Sequence, residues 1–446
     1  MPKHVDQLIH PEWIIPVVPE NLILTEHSLA VKGGRINAIL PTEQAKSQYQ
    51  TDHDIALPGQ VLIPGLVNTH THAAMALLRG LADDMPLMTW LNKHIWPAEA
   101  KWVNEEFIHD GTQLAIAEML LSGTTCFNDM YFFPDITGRV ANQAGIRAVL
   151  GLIVIDFSSA WASDGDNYLH KGLQVHDQFR TNPLIHTAFA PHAPYTVANP
   201  VLEKIRTFAD ELEIPIHMHI HETHDEIAQG LQHHSSRPLA RLYALGLLSP
   251  LLTAVHMTHL EKQEIDLFAA SGAHVVHCPE SNQKLANGFC PVAELIEAGI
   301  NVALGTDGAA SNNDLDMFSE MRSAALLAKG ITGNASTLPA AKALSIATIN
   351  GAMALGLQQE TGSLELGKSA DMIAVDLNRI NTQPVYHPIS QLVYAAGREQ
   401  VTHVWVGGRL LVSEGRLTTL DEGQLIDRTR HWRDRIMAAD ADSKVD

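Results

Sequence analysis

Eight short apolar runs alternate with longer amphipathic stretches through the middle of this chain. In order, the runs read VLIPGLVNTH, GTTCFNDM, RAVLGLIVI, LIHTAFAPH, IPIHMHIHE, LTAVHMTH, AHVVHCPE and NVALGTDG. Apolar strands separated by helices are the sequence signature of a parallel sheet covered by helices. Eight such units fit a closed barrel better than an open sheet. The pattern therefore predicts an α/β fold with a (β/α)8 barrel of the TIM type.

Segments of β character flank this pattern on both sides. Residues 1–65 contain short β runs, and the Gly33-Gly34 pair favours a hairpin there. Residues 359–420 return to alternating residues and glycine turns, in GSLELGKSADMIAVDL and VTHVWVGGRLLVSEGR. We predict that the barrel occupies 66–358 and that both flanks pair into one small composite β-sandwich domain. Residues 421–446 are predicted to form a C-terminal helical tail.

Composition narrows the class of function. The 446 residues include 46% hydrophobic residues, enough for a large core, and the formal net charge is -20. Nucleic acid and anionic membranes would repel such a surface, so we expect neither as a partner. The three cysteines form no CxxC pair, and no run resembles a signal peptide or a membrane span. We therefore expect a cytoplasmic enzyme that acts on a small molecule.

Polar residues of the metal-ligand types close nearly every apolar run. The carboxyl ends of barrel strands meet at one face, where the active sites of such barrels lie. The residues at these run ends are His70, His72, Asp129, His192, His219, Glu222, His256, His277 and Asp307. The sequence therefore predicts a functional site at this face of the barrel.

The first cluster is His70-Thr71-His72. In an extended segment, residues two apart face the same side, so both imidazoles can point at one ion. An isolated pair of this kind is more often a pair of surface histidines. The preceding buried strand and the barrel context favour metal binding here.

The second cluster, HMHIHE, places His217, His219 and His221 on one face of a regular strand. The pattern does not choose among them, and we expect His217 and His221 to be structural. Asp307 fits either a metal ligand or a turn residue, and His256 either a catalytic or a buried structural histidine. Three histidines and a carboxylate around one divalent ion leave a position for water, whose pKa falls toward ~7. This chemistry is hydrolytic.

These motifs together resemble the amidohydrolase superfamily over nearly the whole chain. PGLVNTHTH, HIHE, LGTDG and GSLELGKSADMIAVD are similar to its motifs. More narrowly, five stretches resemble the 5'-methylthioadenosine/S-adenosylhomocysteine deaminases. They are WPAEAKW, APHAPYT, AVHMTH, HCPESNQKLANG and GTDGAASNNDLDMFSEMR.

The resemblance implies a role for each of ten residues. The ligands it implies for a divalent metal, zinc in our expectation, are His70, His72, His219 and Asp307. It implies that Glu222 shuttles protons, that His256 orients the nucleophile and that Asp307 takes the proton of the attacking water. It also implies that four residues bind the substrate, namely Glu99 (at the ribose hydroxyls), Trp90, His192 and Ser311. By residue type alone, Glu99 would be a solvated charge and Trp90 a packing residue. His192 would be a structural loop residue, and Ser311 a turn serine.

The run LIHTAFAPHAPYT lacks the lysine that relatives with two metals carry, so the resemblance implies one metal ion. The implied reaction is hydrolytic deamination of an adenine nucleoside. The resemblance implies that arginines near the end of the third strand hold the carboxylate of S-adenosylhomocysteine. Here that region, GLIVIDFSSAWASDGDNYLH, holds no arginine, and an unpaired carboxylate in a pocket is costly. We therefore expect 5'-methylthioadenosine or adenosine to be preferred, unless an arginine from elsewhere supplies the partner.

Two alternatives remain open from the sequence. One is a sibling aminohydrolase acting on guanine, cytosine or a chlorinated triazine, and the other is a non-catalytic barrel that serves as a scaffold. We also expect a homo-oligomer.

Overall fold

The computed structural model describes residues 2–442, with side chains up to residue 438. The N-terminal segment forms β1 (Lys3–His4), β2 (Gln7–Ile14), β3 (Leu24–Thr25), β4 (His27–Lys32), β5 (Arg35–Pro41), α1 (Thr42–Gln48), β6 (Tyr49–Gln50) and β7 (Asp54–Pro64). β4 and β5 form the expected hairpin, with Lys32 opposite Arg35. Gly33 and Gly34 turn it with φ of 58° and 75°, a left-handed pair that glycine adopts without strain.

Eight parallel strands follow, and each pairs with its neighbours in chain order. They are β8 (Leu66–Thr71), β9 (Thr124–Tyr131), β10 (Arg147–Val154), β11 (Ile185–Pro191), β12 (Ile216–Ile220), β13 (Leu252–His256), β14 (His274–His277) and β15 (Asn301–Leu304). The predicted (β/α)8 barrel is confirmed. The first apolar run is divided at Gly65, since VLIP ends β7 of the small domain and LVNTH lies in β8.

Hydrogen bonds between segments of the first and last strands close the barrel. The amide of Thr306 donates to Oδ1 of Asn68 at 3.0 Å, and Nδ2 of Asn68 donates to Oγ1 of Thr306 at 2.8 Å. One step further, the amide of Asp307 donates to the carbonyl of His70 at 3.0 Å. The closure therefore places His70 and Asp307 side by side, although 237 positions separate them in the chain.

Helices cover the outside of the barrel and build the loops at its carboxyl end. They are α2 (Leu87–Trp90), α3 (Trp96–Trp102), α4 (Glu105–Leu121), α5 (Pro134–Ala144), α6 (Gly165–Phe179), α7 (Asn199–Leu212), α8 (His224–His234), α9 (Pro238–Ala244), α10 (Lys262–Ser271), α11 (Pro279–Lys284), α12 (Val292–Glu297), α13 (Met317–Thr332), α14 (Ala340–Ile346) and α15 (Ile349–Ala354). None of the helices in residues 2–442 is both long and apolar enough to cross a bilayer.

The C-terminal part of the chain completes the small domain. It contributes β16 (Met372–Asp376), α16 (Pro388–Tyr394), β17 (Val401–Val406), β18 (Arg409–Ser413) and β19 (Arg416–Leu417). The sheet order is β19-β18-β17-β16-β7-β2-β4-β5, with β3 beside β2, and β16 runs antiparallel to β7. Both flanks of the barrel thus share one sheet, as predicted.

The tail begins with helix α17 (Glu422–Asp442), which packs against the barrel rather than extending away from it. Trp432 is 1% exposed, its ring meets Phe107 of α4 edge to face, and its Nε1 donates to Asp110 at 3.0 Å. Residues 443–446 of the predicted tail lie outside the described residues.

Candidate metal centre

The ten site residues predicted from the sequence lie in or against one pocket at the carboxyl end of the barrel. The nine that line it are His72, Trp90, Glu99, His192, His219, Glu222, His256, Asp307 and Ser311. His70 is fully buried behind them, against Asp307 and His219. The pocket encloses about 850 Å³ including its open mouth.

Three imidazoles and one carboxylate converge at the base of this pocket. Oδ1 of Asp307 lies 3.2 Å from Nε2 of His70 and 3.2 Å from Nε2 of His72. Nε2 of His219 lies 3.1 Å from Nε2 of His70. Atoms of His70, His72 and His219 lie close enough together to ligate one ion, and so do atoms of His70, His256 and Asp307.

In His72 and His219, the ring nitrogen that faces away from the centre bonds to a backbone carbonyl. Nδ1 of His72 donates to the carbonyl of Met130 at 2.6 Å, and Nδ1 of His219 donates to that of His192 at 2.8 Å. With Nδ1 carrying the hydrogen, the lone pair of Nε2 faces the centre. This arrangement orients metal-binding histidines in proteins.

His70 is held from behind by His217, whose Nε2 lies 2.9 Å from Nδ1 of His70. Gly305 makes room for His70, because a Cβ at this glycine would lie 2.8 Å from the Cβ of His70. His221 instead accepts the amide of Leu239 at Nε2, 3.1 Å away, and does not line the pocket. Of the three histidines of β12 and its end, only His219 lines the pocket.

Burial sets the charge state of these groups. It lowers the pKa of His70 to about 4 and that of His219 well below its usual value. Burial opposes a charge on His72 too, but the carboxylate of Asp307 raises the pKa of His72 to about 9. Burial disfavours ionised Asp307, yet its hydrogen bonds with His70 and His72 hold its pKa well below the usual range. Imidazole nitrogens around one carboxylate are a donor set that suits zinc and similar divalent metals, so the residues fit such an ion.

Two of the site residues have left-handed backbone conformations, with φ of 75° at His256 and 63° at Asp307. Such conformations cost about 1–3 kcal/mol for residues other than glycine and concentrate at functional sites. His256 is the last residue of β13, and Asp307 lies three residues after the end of β15.

Glu222 and His256 lie next to the four ligand candidates. Oε1 of Glu222 is 3.8 Å from Nε2 of His256 and accepts a hydrogen bond from Nδ2 of Asn287 at 2.9 Å. Burial raises the pKa of Glu222, and the charge of Asp307 raises it further. Glu222 is therefore suited to carry a proton into the pocket.

The remaining predicted residues form the walls of the pocket. Tyr131 donates to Oε1 of Glu99 at 2.7 Å, and burial raises the pKa of Glu99 to about 7. A π-helical segment, Leu91–Ile95, joins the helices that carry Trp90 and Glu99, and π-helical turns often mark functional sites. Trp90 donates Nε1 to the carbonyl of Ala82 at 3.0 Å.

His192 and Ser311 also contact the ligand candidates. His192 lines the pocket with its ring and holds His219 with its carbonyl. Oγ of Ser311 lies 2.9 Å from Oδ2 of Asp307. Both residues therefore combine a place in the pocket wall with a contact to a ligand candidate.

The sequence reasoning missed four buried contacts of this site. They are made by Tyr131, Ser281, Asn282 and Asn287. The last three lie in the stretch HCPESNQKLANG, which carried the family resemblance but was assigned no role. Its density of Ser, Asn and Gln directly after an apolar run was the available signal.

Comparison with known proteins gives the same picture. The amidohydrolase family model matches residues 61–411. A 5-methylthioadenosine/S-adenosylhomocysteine deaminase of Teredinibacter turnerae is 51% identical over 97% of this chain and 98% of its own length.

Two solved structures are similar over almost their full length. An adenosine deaminase from Xanthomonas campestris with bound zinc has a TM-score of 0.97 and 51% identity, covering 98% of this chain and 100% of its own. An atrazine chlorohydrolase from Arthrobacter aurescens has a TM-score of 0.89 at 22% identity, covering 95% and 99%, and shares the fold. The chain therefore belongs to the amidohydrolase family, within the group of the 5-methylthioadenosine/S-adenosylhomocysteine deaminases.

Proposed function

We propose that this chain catalyses the hydrolytic deamination of adenine nucleosides to the inosine analogue and ammonia. The observation that carries the proposal is the convergence of three histidines and Asp307 beside a buried glutamate, Glu222, in a pocket that also holds Glu99. The names of the relatives support the same reaction, since those proteins are called 5-methylthioadenosine/S-adenosylhomocysteine deaminase and adenosine deaminase.

We also propose that His70, His72, His219 and Asp307 hold one divalent cation, zinc. When bound there, it would supply activation of a water molecule at neutral pH. Zinc in the Xanthomonas campestris structure supports the choice of metal. The absence of lysine from β11 supports a single ion, because a second ion in this superfamily would need that bridging side chain.

The proton transfers belong to residues of this chain. Asp307 accepts a proton from the attacking water, and His256 orients that water through Nε2. Glu222, whose pKa burial raises, gives a proton to N1 of adenine as oxygen adds to C6. The amino nitrogen then takes up the proton that Asp307 holds, the C6–N bond breaks, and ammonia leaves. The proton of the C6 hydroxyl passes to Glu222, which gives the carbonyl of the inosine product and restores both carboxyl groups. Positioned acid–base groups of this kind contribute about 10²–10⁴-fold in rate.

Glu99 would make the enzyme prefer nucleosides over free bases. An ionised carboxylate accepts hydrogen bonds from the 2' and 3' hydroxyls of ribose, and a free base has no such group. Tyr131 holds one carboxylate oxygen of Glu99, so the orientation of the group is fixed before substrate arrives.

The wall next to β10 supports a neutral 5' substituent. Ile153, Ile155 and Phe157 line the pocket there, and none of the lining side chains in the described part of the chain is Lys or Arg. The amino-acid carboxylate of S-adenosylhomocysteine would find no cationic partner, and an unpaired buried charge is costly. We therefore propose 5'-methylthioadenosine or adenosine as the preferred substrate.

A side-by-side assay tests these statements. Ammonia release from 5'-methylthioadenosine, adenosine, S-adenosylhomocysteine and guanine is measured with the zinc-loaded enzyme. We expect turnover of the first two, a lower kcat/KM for S-adenosylhomocysteine and none for guanine. Turnover of guanine with no turnover of nucleosides would overturn the proposal.

The cellular setting is also a proposal. Cys126, Cys278 and Cys290 are buried and unpaired, which supports a reducing compartment such as the cytoplasm. We further propose a homo-oligomer, in which contacts between copies of the chain would cover Ile380 and Tyr386, which are 99% and 91% exposed. The net charge of -20 supports the absence of a nucleic-acid partner. Light scattering of the purified protein tests the oligomer.

A further inference from the structure

One short segment contacts three acid–base groups of the site. Oγ of Ser281 donates to Oδ2 of Asp307 at 2.6 Å. Oδ1 of Asn282 lies 2.9 Å from Nδ1 of His256, and Nδ2 of Asn287 donates to Oε1 of Glu222 at 2.9 Å. Ser281, Asn282 and Asn287 are at most 6% exposed, and none of them lines the pocket. These three side chains therefore act behind the groups that would meet the substrate.

The segment is held in place from both sides. Nζ of Lys284 donates to Oδ1 of Asp83 at 2.6 Å and also contacts Asn313, so it ties the segment to the loops after β8 and β15. Within the segment, the amide of Asn287 donates to the carbonyl of Asn282 at 2.9 Å. These bonds fix the distance between the two asparagine side chains.

Asn282 determines which nitrogen of His256 carries the hydrogen. Because an amide oxygen only accepts, its contact with Nδ1 requires the hydrogen to be there. Nε2 is then left with its lone pair on the side of Glu222, 3.8 Å away. In this form His256 accepts a hydrogen bond from the nucleophile.

Asn287 determines which oxygen of Glu222 carries the proton. Its NH₂ group donates to Oε1, and the unprotonated oxygen of a carboxylic acid is the better acceptor. When Glu222 carries a proton, the proton therefore resides on Oε2, which leaves that oxygen to serve the substrate.

We propose that Asn282 and Asn287 are positioning residues. Asn282 sets which nitrogen of His256 carries the hydrogen, and Asn287 sets which oxygen of Glu222 carries the proton. Asn282 must accept and Asn287 must donate. This inference rests on the proposed function. The same substitution should therefore act differently at the two positions. Changing asparagine to aspartate keeps the acceptor at residue 282 and removes the donor at residue 287.

The test makes the same substitution at both positions of the zinc-loaded full chain. Asn287→Asp should lower kcat for adenosine by ~100-fold or more, the lower end of what a positioned acid contributes. Asn282→Asp should lower kcat less than about tenfold, since a charged acceptor bonds at least as strongly as a neutral one. In both variants KM, zinc content and the thermal unfolding midpoint should change little.

Gln283→Glu is the matched control, because it makes the same amide-to-acid change at an exposed residue of α11. Asn287→Ala, which removes the donor without adding charge, serves if the aspartate variant does not fold, and it should show the same loss in kcat. Equal effects at 282 and 287, or a normal kcat in both variants of Asn287, would overturn the inference while leaving the deaminase function intact. A wild-type enzyme without activity on nucleosides would overturn both.

Discussion

The two ends of the barrel both bury charged side chains, but they balance the charge differently. At the amino end, Nε of Arg147 pairs with Oδ2 of Asp371 at 2.8 Å, and Arg147 also donates to Ser369 and to the carbonyl of Pro183. This pair joins β10 to the small sheet. At the carboxyl end, Asp307 faces imidazole nitrogens whose charge burial opposes. At the amino end, the buried arginine and aspartate neutralise each other. At the carboxyl end, the carboxylate and the imidazoles around it suit a bound cation.

The difference also appears in the backbone. The carboxyl end holds left-handed residues other than glycine at His221, His256 and Asp307, directly after or close to strand ends. Arg147 and Asp371 do not have such conformations. At the carboxyl end, strained backbone occurs at the residues that bring imidazole nitrogens around one carboxylate, which is the pattern expected of a site that serves a ligand rather than the fold.

The largest effect is expected from Asp307→Ala. The variant should lose zinc, and its kcat/KM should fall by roughly 10⁵-fold. Two losses combine in this factor, namely the transition-state stabilisation of several kcal/mol by the metal and the rate contribution of Asp307 as general base. Asp371→Ala is the control at the other end, and it should keep one zinc per folded chain. Zinc content by elemental analysis and ammonia release measure both. Retention of zinc in Asp307→Ala would refute the assignment of this ligand.

Glu222→Gln should keep zinc and lower kcat by about 10²–10⁴-fold, because the amide cannot supply the proton while its oxygen still accepts from Asn287. Steady-state kinetics and zinc analysis measure this variant. A turnover near that of the wild type would remove Glu222 from the mechanism.

Arg147→Met should act on stability alone. It leaves Asp371 buried without its partner, which lowers the free energy of unfolding by about 3–5 kcal/mol. The kcat/KM per folded molecule should stay unchanged, because the pair lies at the end of the barrel away from the pocket. Urea denaturation measures stability, and activity is measured well below the midpoint. A large loss of activity in the folded variant would contradict the separation of the two ends.

The smallest effect is a pH dependence of binding. Burial raises the pKa of Glu99 to about 7, and only the ionised form accepts both ribose hydroxyls. The KM for adenosine should therefore rise as the pH falls through 7, by about tenfold at one unit below the pKa. The dependence should be absent from Glu99→Gln and from 2',3'-dideoxyadenosine with the wild type. The same slope in all three cases would assign it to another group.

The sequence supported the barrel because each strand lies in an apolar run and a polar residue closes nearly every run. Its limits are equally specific. VLIPGLVNTH reads as one continuous apolar run. Its pattern does not reveal that VLIP pairs with β2 and β16, whereas LVNTH begins the barrel. Asn282 and Asn287 act through space on residues 26 and 65 positions away, so spacing along the chain does not reveal them.

Anomalous diffraction at the zinc edge, from crystals of the zinc-loaded protein, tests the central claim most directly. We expect one strong peak per chain, about 2.0–2.2 Å from Nε2 of His70, His72 and His219 and from a carboxylate oxygen of Asp307. A zinc-loaded crystal with no peak among these four side chains, or with its peak elsewhere in the molecule, would contradict it.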